Sequence, residues 1–334
     1  MEKKKLLFIT TGGTIASAKT PQGLAPALSS EELLAQMPEL DELCRPSTRA
    51  LYSIDSTNMS PAHWLRLADT IRREYDAYDG FIICHGTDTM AYTAAALSYL
   101  IQDADKPIIL TGAQKPISWE ITDAKKNLRD SVLTALDAGS RGVMVVFDGQ
   151  VIAGTRAKKV KTYSYDAFTS INFPALAHVR EDGLVRYIDT PRPSGPVRFY
   201  DALDEKVFLL KLTPGLSPAI LAPILELYDC ILVESFGVGG MPDILAHALA
   251  EQLRQYAAHE KIVILATQVT YEGSDVGVYA VGGQLKKQFR FLEARDMTLE
   301  ACCAKIMWLM GQNGMDYASI ERGFYGRINF DTYL

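Results

Sequence analysis

The sequence contains few of the residues that build metal centres and disulfide bonds. Its 334 residues include five cysteines and five histidines, and neither type follows the spacing of a metal-binding motif. The number of cysteines is odd, and the adjacent residues Cys302 and Cys303 cannot easily form a disulfide with each other. We therefore expect no metal ion, and we expect a reducing compartment.

Long hydrophobic runs and a strong positive charge are also missing. Only four apolar residues, 6–9, separate the N-terminal lysines from Thr10, which is too short for the apolar part of a signal peptide. No run approaches the roughly 20 apolar residues that a membrane-spanning helix needs. The net charge is −6 and the basic clusters are short, which disfavours nucleic acid as a partner. The sequence therefore predicts a cytoplasmic protein that binds neither membranes nor nucleic acid.

Glycine-rich phosphate-binding motifs are absent as well. Neither GxGxxG nor GxxxxGK(S/T) occurs, although Gly12 and Gly13 directly follow an apolar run. Paired glycines after a strand allow a positive φ or a close approach of the backbone to a ligand. We therefore expect no nucleotide cofactor at this position.

Apolar strand-like runs alternate with helix-like segments along the chain. Strands are predicted at 6–11 and 81–84, and helices from Ser29, whose spacing to Glu32 fits a capping box, and over 123–138 up to Gly139. This alternation predicts an α/β protein whose larger N-terminal domain, residues 1–188, has a mainly parallel sheet flanked by helices. The proline-rich segment 189–196 is predicted to be a linker to a smaller C-terminal α/β domain, residues 197–334.

Three polar clusters follow predicted strands of the N-terminal domain. They contain Thr14, then Thr87 and Asp88, and then Asp55 and Ser56. Each alone also fits a simpler structure, respectively a strand-to-loop turn, a helix N-cap and an Asx turn. Open parallel sheets bind ligands outside the carboxyl ends of their strands, so the three clusters together predict one site.

The residue types in these clusters suit chemistry on a small amino acid. Thr87 can relay a proton if a nearby lysine holds or takes it, and Asp88 can bind a substrate ammonium. The candidate lysines lie in one short segment, Lys158, Lys159 and Lys161, which also fits an ordinary solvated basic turn. The clustered oxygens at Asp55 and Ser56 suit the α-ammonium and α-carboxylate of an amino acid.

Two motifs give the chain a resemblance to a known family. Thr-Gly-Gly-Thr-Ile at 11–15 and His-Gly-Thr-Asp-Thr-Met at 85–90 resemble the paired signature of bacterial-type L-asparaginases, most closely the cytoplasmic type I branch. The resemblance implies hydrolysis of L-asparagine to L-aspartate and ammonia without metal or cofactor. It also implies a homodimer or homotetramer whose sites are closed by the C-terminal domain of a neighbouring subunit.

The resemblance also implies roles for individual residues. Thr14 matches the family's nucleophile, which would form an acyl-enzyme, and Asp55 and Ser56 match residues that hold the substrate's α-groups. The Thr-Asp-Lys group of the family is matched by Thr87, Asp88 and Lys159. Backbone N–H groups near Thr87 and Ala113 would then stabilise the oxyanion.

The sequence departs from the family pattern at several positions. Leu24 stands where many members carry a tyrosine that helps to activate the nucleophile. Glu234 and Val269 replace the arginine and cysteine of an allosteric asparagine site, which predicts hyperbolic kinetics. Gly240 replaces an asparagine that contacts a neighbouring subunit. Candidates for reaching into a neighbour's site instead are Glu272 and Asp275.

Three other functions are compatible with these motifs. The amidase subunit of archaeal-type tRNA-dependent amidotransferases shares them but carries a further N-terminal domain, whereas Thr14 lies near the start of this chain. A glutaminase-asparaginase is a second alternative, because one methylene changes discrimination by only about 1–3 kcal/mol. The third is a non-catalytic amino-acid-binding or sensing protein, an alternative suggested by Leu24.

Overall fold

A computed structural model describes residues 2–20, 23–26, 28–181, 183–256, 260–277 and 287–333, with only the backbone described for 18–20 and 23–26. The chain forms two compact units, one through Asp201 and the other from Ala202 onward. The predicted linker, 189–196, lies within the first unit. The boundary falls five residues after the predicted start of the C-terminal domain, because strand Arg198–Phe199 pairs with Ile101–Gln102 of the first unit.

The N-terminal unit contains fourteen strands and five α-helices among the described residues. In chain order they are β1 (Lys5–Gly12), β2 (Ser17–Thr20), β3 (Gly23–Pro26), α1 (Ser30–Ala35), α2 (Leu40–Leu43), β4 (Arg45–Ile54), α3 (Pro61–Glu74), β5 (Gly80–Cys84), α4 (Met90–Leu100), β6 (Ile101–Gln102), β7 (Pro107–Thr111), α5 (Ala124–Leu136), β8 (Gly142–Phe147), β9 (Gln150–Ala153), β10 (Ala157–Lys159), β11 (Phe168–Ser170), β12 (Ala177–Arg180), β13 (Gly183–Arg186) and β14 (Arg198–Phe199).

An eight-stranded sheet forms the core of this unit. Its strand order is β13-β12-β9-β8-β7-β5-β1-β4, and the strands from β8 to β4 are parallel to one another. Strands β9, β12 and β13 extend the sheet with antiparallel pairs. Every residue of β5 and β7 is buried, as expected for central parallel strands that are covered on both faces. The predicted mainly parallel sheet is therefore confirmed.

Helix ends follow local side-chain chemistry. At the start of α1, Ser29 Oγ accepts a hydrogen bond from Glu32 N at 3.1 Å and Glu32 Oε2 accepts one from Ser29 N at 2.8 Å. These two bonds form the predicted capping box. The prediction that α5 extends to Gly139 is wrong, because the extended backbone of Asp137 ends the helix at Leu136.

The C-terminal unit is a smaller α/β structure. Its elements are β15 (Val207–Lys211), α6 (Leu221–Leu227), β16 (Cys230–Ser235), α7 (Asp243–Gln255), β17 (Ile262–Thr267), β18 (Leu292–Glu293), α8 (Leu299–Asn313) and α9 (Tyr317–Tyr325). The four strands form a parallel sheet in the order β15-β16-β17-β18. Buried Leu, Ile and Val side chains from β15, β16, β17, α6 and α7 make one continuous hydrophobic cluster.

A buried ion pair fixes the last residues of this unit. Lys305 Nζ lies 2.6 Å from Asp331 Oδ2, and both side chains are completely inaccessible to solvent. The ammonium also donates to Gly326 O at 2.7 Å. Burial lowers the pKa of Lys305, and the carboxylate of Asp331 opposes this effect. The pair thus joins α8 to the segment that follows α9.

The five cysteines are free thiols, and four of them are buried. Burial raises the pKa of Cys44 to about 11 and that of Cys84 to about 12. These side chains therefore stay protonated near neutral pH and pack as small apolar groups. Across the described residues, none of the helices combines the length and the apolar character that a membrane crossing requires.

Candidate active site

Two glycines shape the loop that carries Thr14. Gly12 and Gly13 follow β1 with φ values of 101° and 83°, a region that side chains disfavour. A Cβ on Gly13 would lie 2.5 Å from Gly86 Cα, so the loops after β1 and β5 touch at these residues. Thr14 begins a short 3₁₀ turn, Thr14–Ala16, directly after this contact.

The buried, neutral side chain of His85 stabilises the loop after β5. His85 Nδ1 lies 2.7 Å from Gly86 O, and its Nε2 lies 2.9 Å from Thr93 Oγ1. Because the carbonyl oxygen of Gly86 can only accept, we assign the ring proton to His85 Nδ1, and Nε2 then accepts the hydroxyl proton of Thr93. Trp64 Nε1 donates to the same hydroxyl oxygen at 3.0 Å. Burial lowers the pKa of His85 to about 4, so the ring is neutral near neutral pH.

The loop after β4 contacts the loop after β5. Asp55 Oδ1 accepts hydrogen bonds from Thr57 N and Thr57 Oγ1, both at 2.9 Å. The buried Ser56 follows, and its carbonyl oxygen accepts a bond from Thr89 Oγ1 at 2.8 Å. Asp55 is thus the cap of a short 3₁₀ turn and also a carboxylate on the wall of the site.

The ammonium of Lys159 reaches the loop after β5 from the hairpin of β10 and β11. Its Nζ lies 2.7 Å from Thr87 Oγ1 and 2.6 Å from Asp88 Oδ1. The Lys159 side chain is 17% exposed and that of Asp88 is 55% exposed, so the lysine is largely enclosed while the carboxylate faces solvent. Lys161 instead pairs with Asp166, which leaves Lys159 as the member of the predicted lysine group that contacts Thr87.

A cavity of about 140 Å³ joins the three loops. Its lining residues are Gly13, Thr14, Ser17, Asp55, Ser56, Gly86, Thr87 and Asp88. Hydroxyl and carboxylate oxygens therefore surround a space beside the ammonium of Lys159. No group of His, Cys, Asp or Glu suited to a metal ion occurs within the described part of the chain. Such a cavity can hold a small zwitterion and bring hydroxyl groups close to it.

The loop after β7 lies against the same region. A Cβ on Gly112 would be 2.3 Å from His85 O, so this loop packs directly on the one that carries Thr87. Ala113 is 1% exposed. The carboxylate of Asp123 accepts hydrogen bonds from Gln114 N at 2.8 Å and Lys115 N at 3.0 Å. Burial raises the pKa of Asp123, and these N–H donors oppose the increase.

Comparison with known proteins identifies the family. Residues 5–192 match the family model described as "Asparaginase, N-terminal", and residues 206–324 match "Glutaminase/Asparaginase C-terminal domain". The chain belongs to the asparaginase family. The resemblance predicted from the two threonine motifs is thereby confirmed.

Several asparaginase-family proteins are similar over most of their length. An L-asparaginase of Thermococcus kodakarensis is 40% identical over 92% of this chain and 93% of its own. Its solved structure superposes with a TM-score of 0.91 at 36% identity, over 98% of this chain and 99% of that one. One subunit of the glutamyl-tRNA(Gln) amidotransferase of Pyrococcus horikoshii is 34% identical over 98% of this chain and 78% of its own.

Other predicted residues are not among those that line the cavity. Glu272 and Asp275 are exposed residues of the C-terminal unit. The side chain of Leu24 lies outside the described residues. Glu234 Oε1 pairs with Lys211 Nζ at 3.1 Å, and Val269 is 51% exposed. The two positions matched to the allosteric arginine and cysteine therefore carry an anion and an apolar group.

Sequence reasoning missed two residues near the cavity. Ser17 lines it, and its hydroxyl donates to Gly13 O at 2.9 Å. Ser17 directly follows the turn Thr14–Ala16 with an extended backbone, and no sequence motif marks its contact with the cavity. Gln114 contacts Thr87 at 3.4 Å, and nothing in its local sequence indicates this contact.

Proposed function

We propose that this protein is an L-asparaginase that hydrolyses the side-chain amide of L-asparagine to L-aspartate and ammonia. The observation that carries the proposal is the contact of the Lys159 ammonium with both Thr87 and Asp88 beside a cavity that Thr14 lines. A binding protein would have no need of a largely enclosed lysine between a hydroxyl and a carboxylate. Membership of the asparaginase family supports the same assignment.

The proposed reaction begins with Thr14 as nucleophile. Its Oγ1 forms a bond to the side-chain amide carbon, and its proton passes to the departing nitrogen, which leaves as ammonia. Water then attacks the ester carbon while Thr87, held by the Lys159 ammonium, accepts a hydrogen bond from it. The bond from this carbon to Thr14 Oγ1 breaks, and the proton that the water loses restores the Thr14 hydroxyl as aspartate leaves. Backbone N–H groups near Thr87 and Ala113 stabilise the oxyanion, and each such donor contributes on the order of 3 kcal/mol to lowering the barrier.

The α-groups of the substrate are assigned to the polar wall of the cavity. The carboxylate of Asp88 is exposed, so it can accept a hydrogen bond from a substrate ammonium in addition to its bond with Lys159. Asp55 and Ser56 provide a carboxylate and a buried polar residue on the opposite loop. A charged zwitterion in so small a space would have both charges matched by side chains or N–H groups.

The assembly and location are part of the proposal. We infer a homodimer or homotetramer in which Glu272 and Asp275 of one subunit reach the site of a neighbour. Light scattering coupled to gel filtration measures the assembly directly, and loss of activity in Glu272→Gln or Asp275→Asn without a change in assembly tests the contribution. A cytoplasmic location is consistent with five free cysteines.

Ammonia release from L-asparagine, L-glutamine and D-asparagine tests the activity. We expect release from L-asparagine, and glutamine turnover within about tenfold would identify a glutaminase-asparaginase. Thr14→Ala should abolish turnover and leave thermal unfolding unchanged, whereas Thr70→Ala should leave both unchanged, because the Thr70 hydroxyl donates to the carbonyl of Arg66 within helix α3. Asparagine binding without ammonia release would identify a sensing protein and overturn the proposal.

A further inference from the structure

We propose that Gln114 is a positioning residue that sets the orientation of the Thr87 hydroxyl. This inference rests on the proposed function, in which Thr87 hydrogen-bonds the attacking water. Thr87 Oγ1 accepts a hydrogen bond from Lys159 Nζ at 2.7 Å and donates to Gln114 Oε1 at 3.4 Å. The hydroxyl proton therefore points toward Gln114, away from the lysine.

The side-chain amide of Gln114 is fixed in one orientation. Its Nε2 donates to Ser164 O at 3.1 Å, on the loop between β10 and β11. If the amide were flipped, its carbonyl oxygen would face the Ser164 carbonyl and its NH₂ group would face the Thr87 hydroxyl. The bond to Ser164 thus places an acceptor, and not a donor, next to Thr87.

The backbone of Gln114 is fixed by a buried carboxylate. Asp123 is 4% exposed and accepts hydrogen bonds from Gln114 N at 2.8 Å and Lys115 N at 3.0 Å. Asn127 Nδ2 contacts the same carboxylate at 3.3 Å and also donates to Gly112 O at 3.0 Å. Because these bonds hold both sides of Gln114, its side chain approaches Thr87 from a rigid loop.

The result is a directed chain of hydrogen bonds from Lys159 through Thr87 to Gln114. A hydroxyl has one proton and two lone pairs. With the hydroxyl proton directed at Gln114 and one lone pair occupied by Lys159, the second lone pair of Thr87 is left to accept a hydrogen bond from a water in the cavity and so to orient that water. Without Gln114, the hydroxyl is free to rotate and point its proton at that water.

The predicted effect is modest and confined to the chemical step. The contact of 3.4 Å is longer than the lysine contact, and Gln114 is not among the described residues that line the cavity. Gln114→Met should lower kcat about 3- to 10-fold, the value of one neutral hydrogen bond, with KM changed less than about twofold. Gln114→Glu keeps an acceptor oxygen for Thr87 but loses the donor to Ser164 O, so its kcat should lie between those of Gln114→Met and the wild type.

The experiment compares steady-state kinetics of the wild type with Gln114→Met, Gln114→Glu and Lys115→Met, each checked by thermal unfolding. Lys115→Met is the matched control, because that side chain lies over the Trp119 ring. An unchanged kcat in Gln114→Met, or a Gln114→Glu kcat as low as that of Gln114→Met, overturns the inference. A wild type that releases no ammonia from L-asparagine overturns the proposed function and this inference with it.

Discussion

Lys159 Nζ lies 2.7 Å from Thr87 Oγ1, although 72 positions separate the two residues in the chain. The contact joins the end of β5 to the β10–β11 hairpin, two elements with no direct strand pairing. A close contact between such elements exists only when both are fully folded. The contact therefore depends on the tertiary fold and not on local sequence.

The first prediction concerns Lys159. Lys159→Met should lower kcat about 10²- to 10⁴-fold, because Thr87 loses the ammonium that holds and polarises its hydroxyl. Stability should change by less than about 1 kcal/mol, since the partner carboxylate of Asp88 is 55% exposed. Ammonia-release kinetics and urea unfolding measure the two quantities. Lys161→Met, which removes the exposed pair with Asp166, is the control, and a similar loss in both variants would contradict the assignment.

The second prediction concerns the glycine contact beneath Thr14. Gly13→Ala should destabilise the protein by about 1–3 kcal/mol, because φ is +83° and the new Cβ would meet Gly86 Cα at 2.5 Å. Activity should fall at the same time, since the loops that carry Thr14 and Thr87 must separate. Gly195→Ala, with no atom within 4 Å of the new Cβ, should have little effect on either measurement. Equal unfolding free energies for the two variants would refute this account.

The third prediction is a pH dependence of stability from His85. The folded pKa is about 4 against an ordinary value of 6.5, so the unfolded chain takes up a proton below pH 6.5 that the folded protein does not. Stability is therefore lost as the pH falls from 6.5 toward 4, by up to about 3 kcal/mol from this group. His85→Asn, which keeps a donor for Gly86 O, should flatten the curve of unfolding free energy against pH. If the curves of unfolding free energy against pH were parallel for the wild type and His85→Asn, the His85 ring would not be neutral and buried.

The fourth prediction concerns the buried pair of Lys305 and Asp331. Asp331→Asn leaves the ammonium buried without its counter-charge and should cost about 3–5 kcal/mol of unfolding free energy. The double variant Lys305→Met with Asp331→Leu should recover much of this loss. Glu2→Gln, which removes the exposed partner of Arg45, should change stability by less than about 0.5 kcal/mol. If Asp331→Asn were as stable as the wild type, the ion pair would be solvated and this prediction would be wrong.

Local patterns predicted the parallel part of the fold well. The buried runs 6–9 of β1 and 81–84 of β5 are entirely apolar, and the Ser29–Glu32 spacing is sufficient to locate the start of α1. The antiparallel extension by β9, β12 and β13 was not predicted, since these strands are short and β9 and β12 pair between residues distant in the chain. The end of α5 was placed at a glycine because a helix stop at Asp137 has no comparable sequence signal.

The candidate site was predictable to the level of loops and not of contacts. Polar residues after β1, β4 and β5 identified the three loops, because the carboxyl ends of parallel strands share one edge. The choice of Lys159 over Lys158 and Lys161 came only from the family resemblance. The contact of Lys159 with Thr87 depends on the register of the β10–β11 hairpin, in which Lys159 pairs with Phe168. The linear sequence does not specify this register. Gln114 was missed for a related reason, since its side chain bonds to Ser164 on the loop of the same hairpin.

The protected thiols have a practical consequence for experiments on this protein. Four of the five cysteines are buried, and the high pKa of Cys44 and of Cys84 leaves little reactive thiolate at neutral pH. A maleimide dye would therefore select a cysteine introduced on the surface over the native ones. Tyr163 is 87% exposed on the loop between β10 and β11, so Tyr163→Cys offers an attachment point for a fluorophore on the hairpin that carries Lys159.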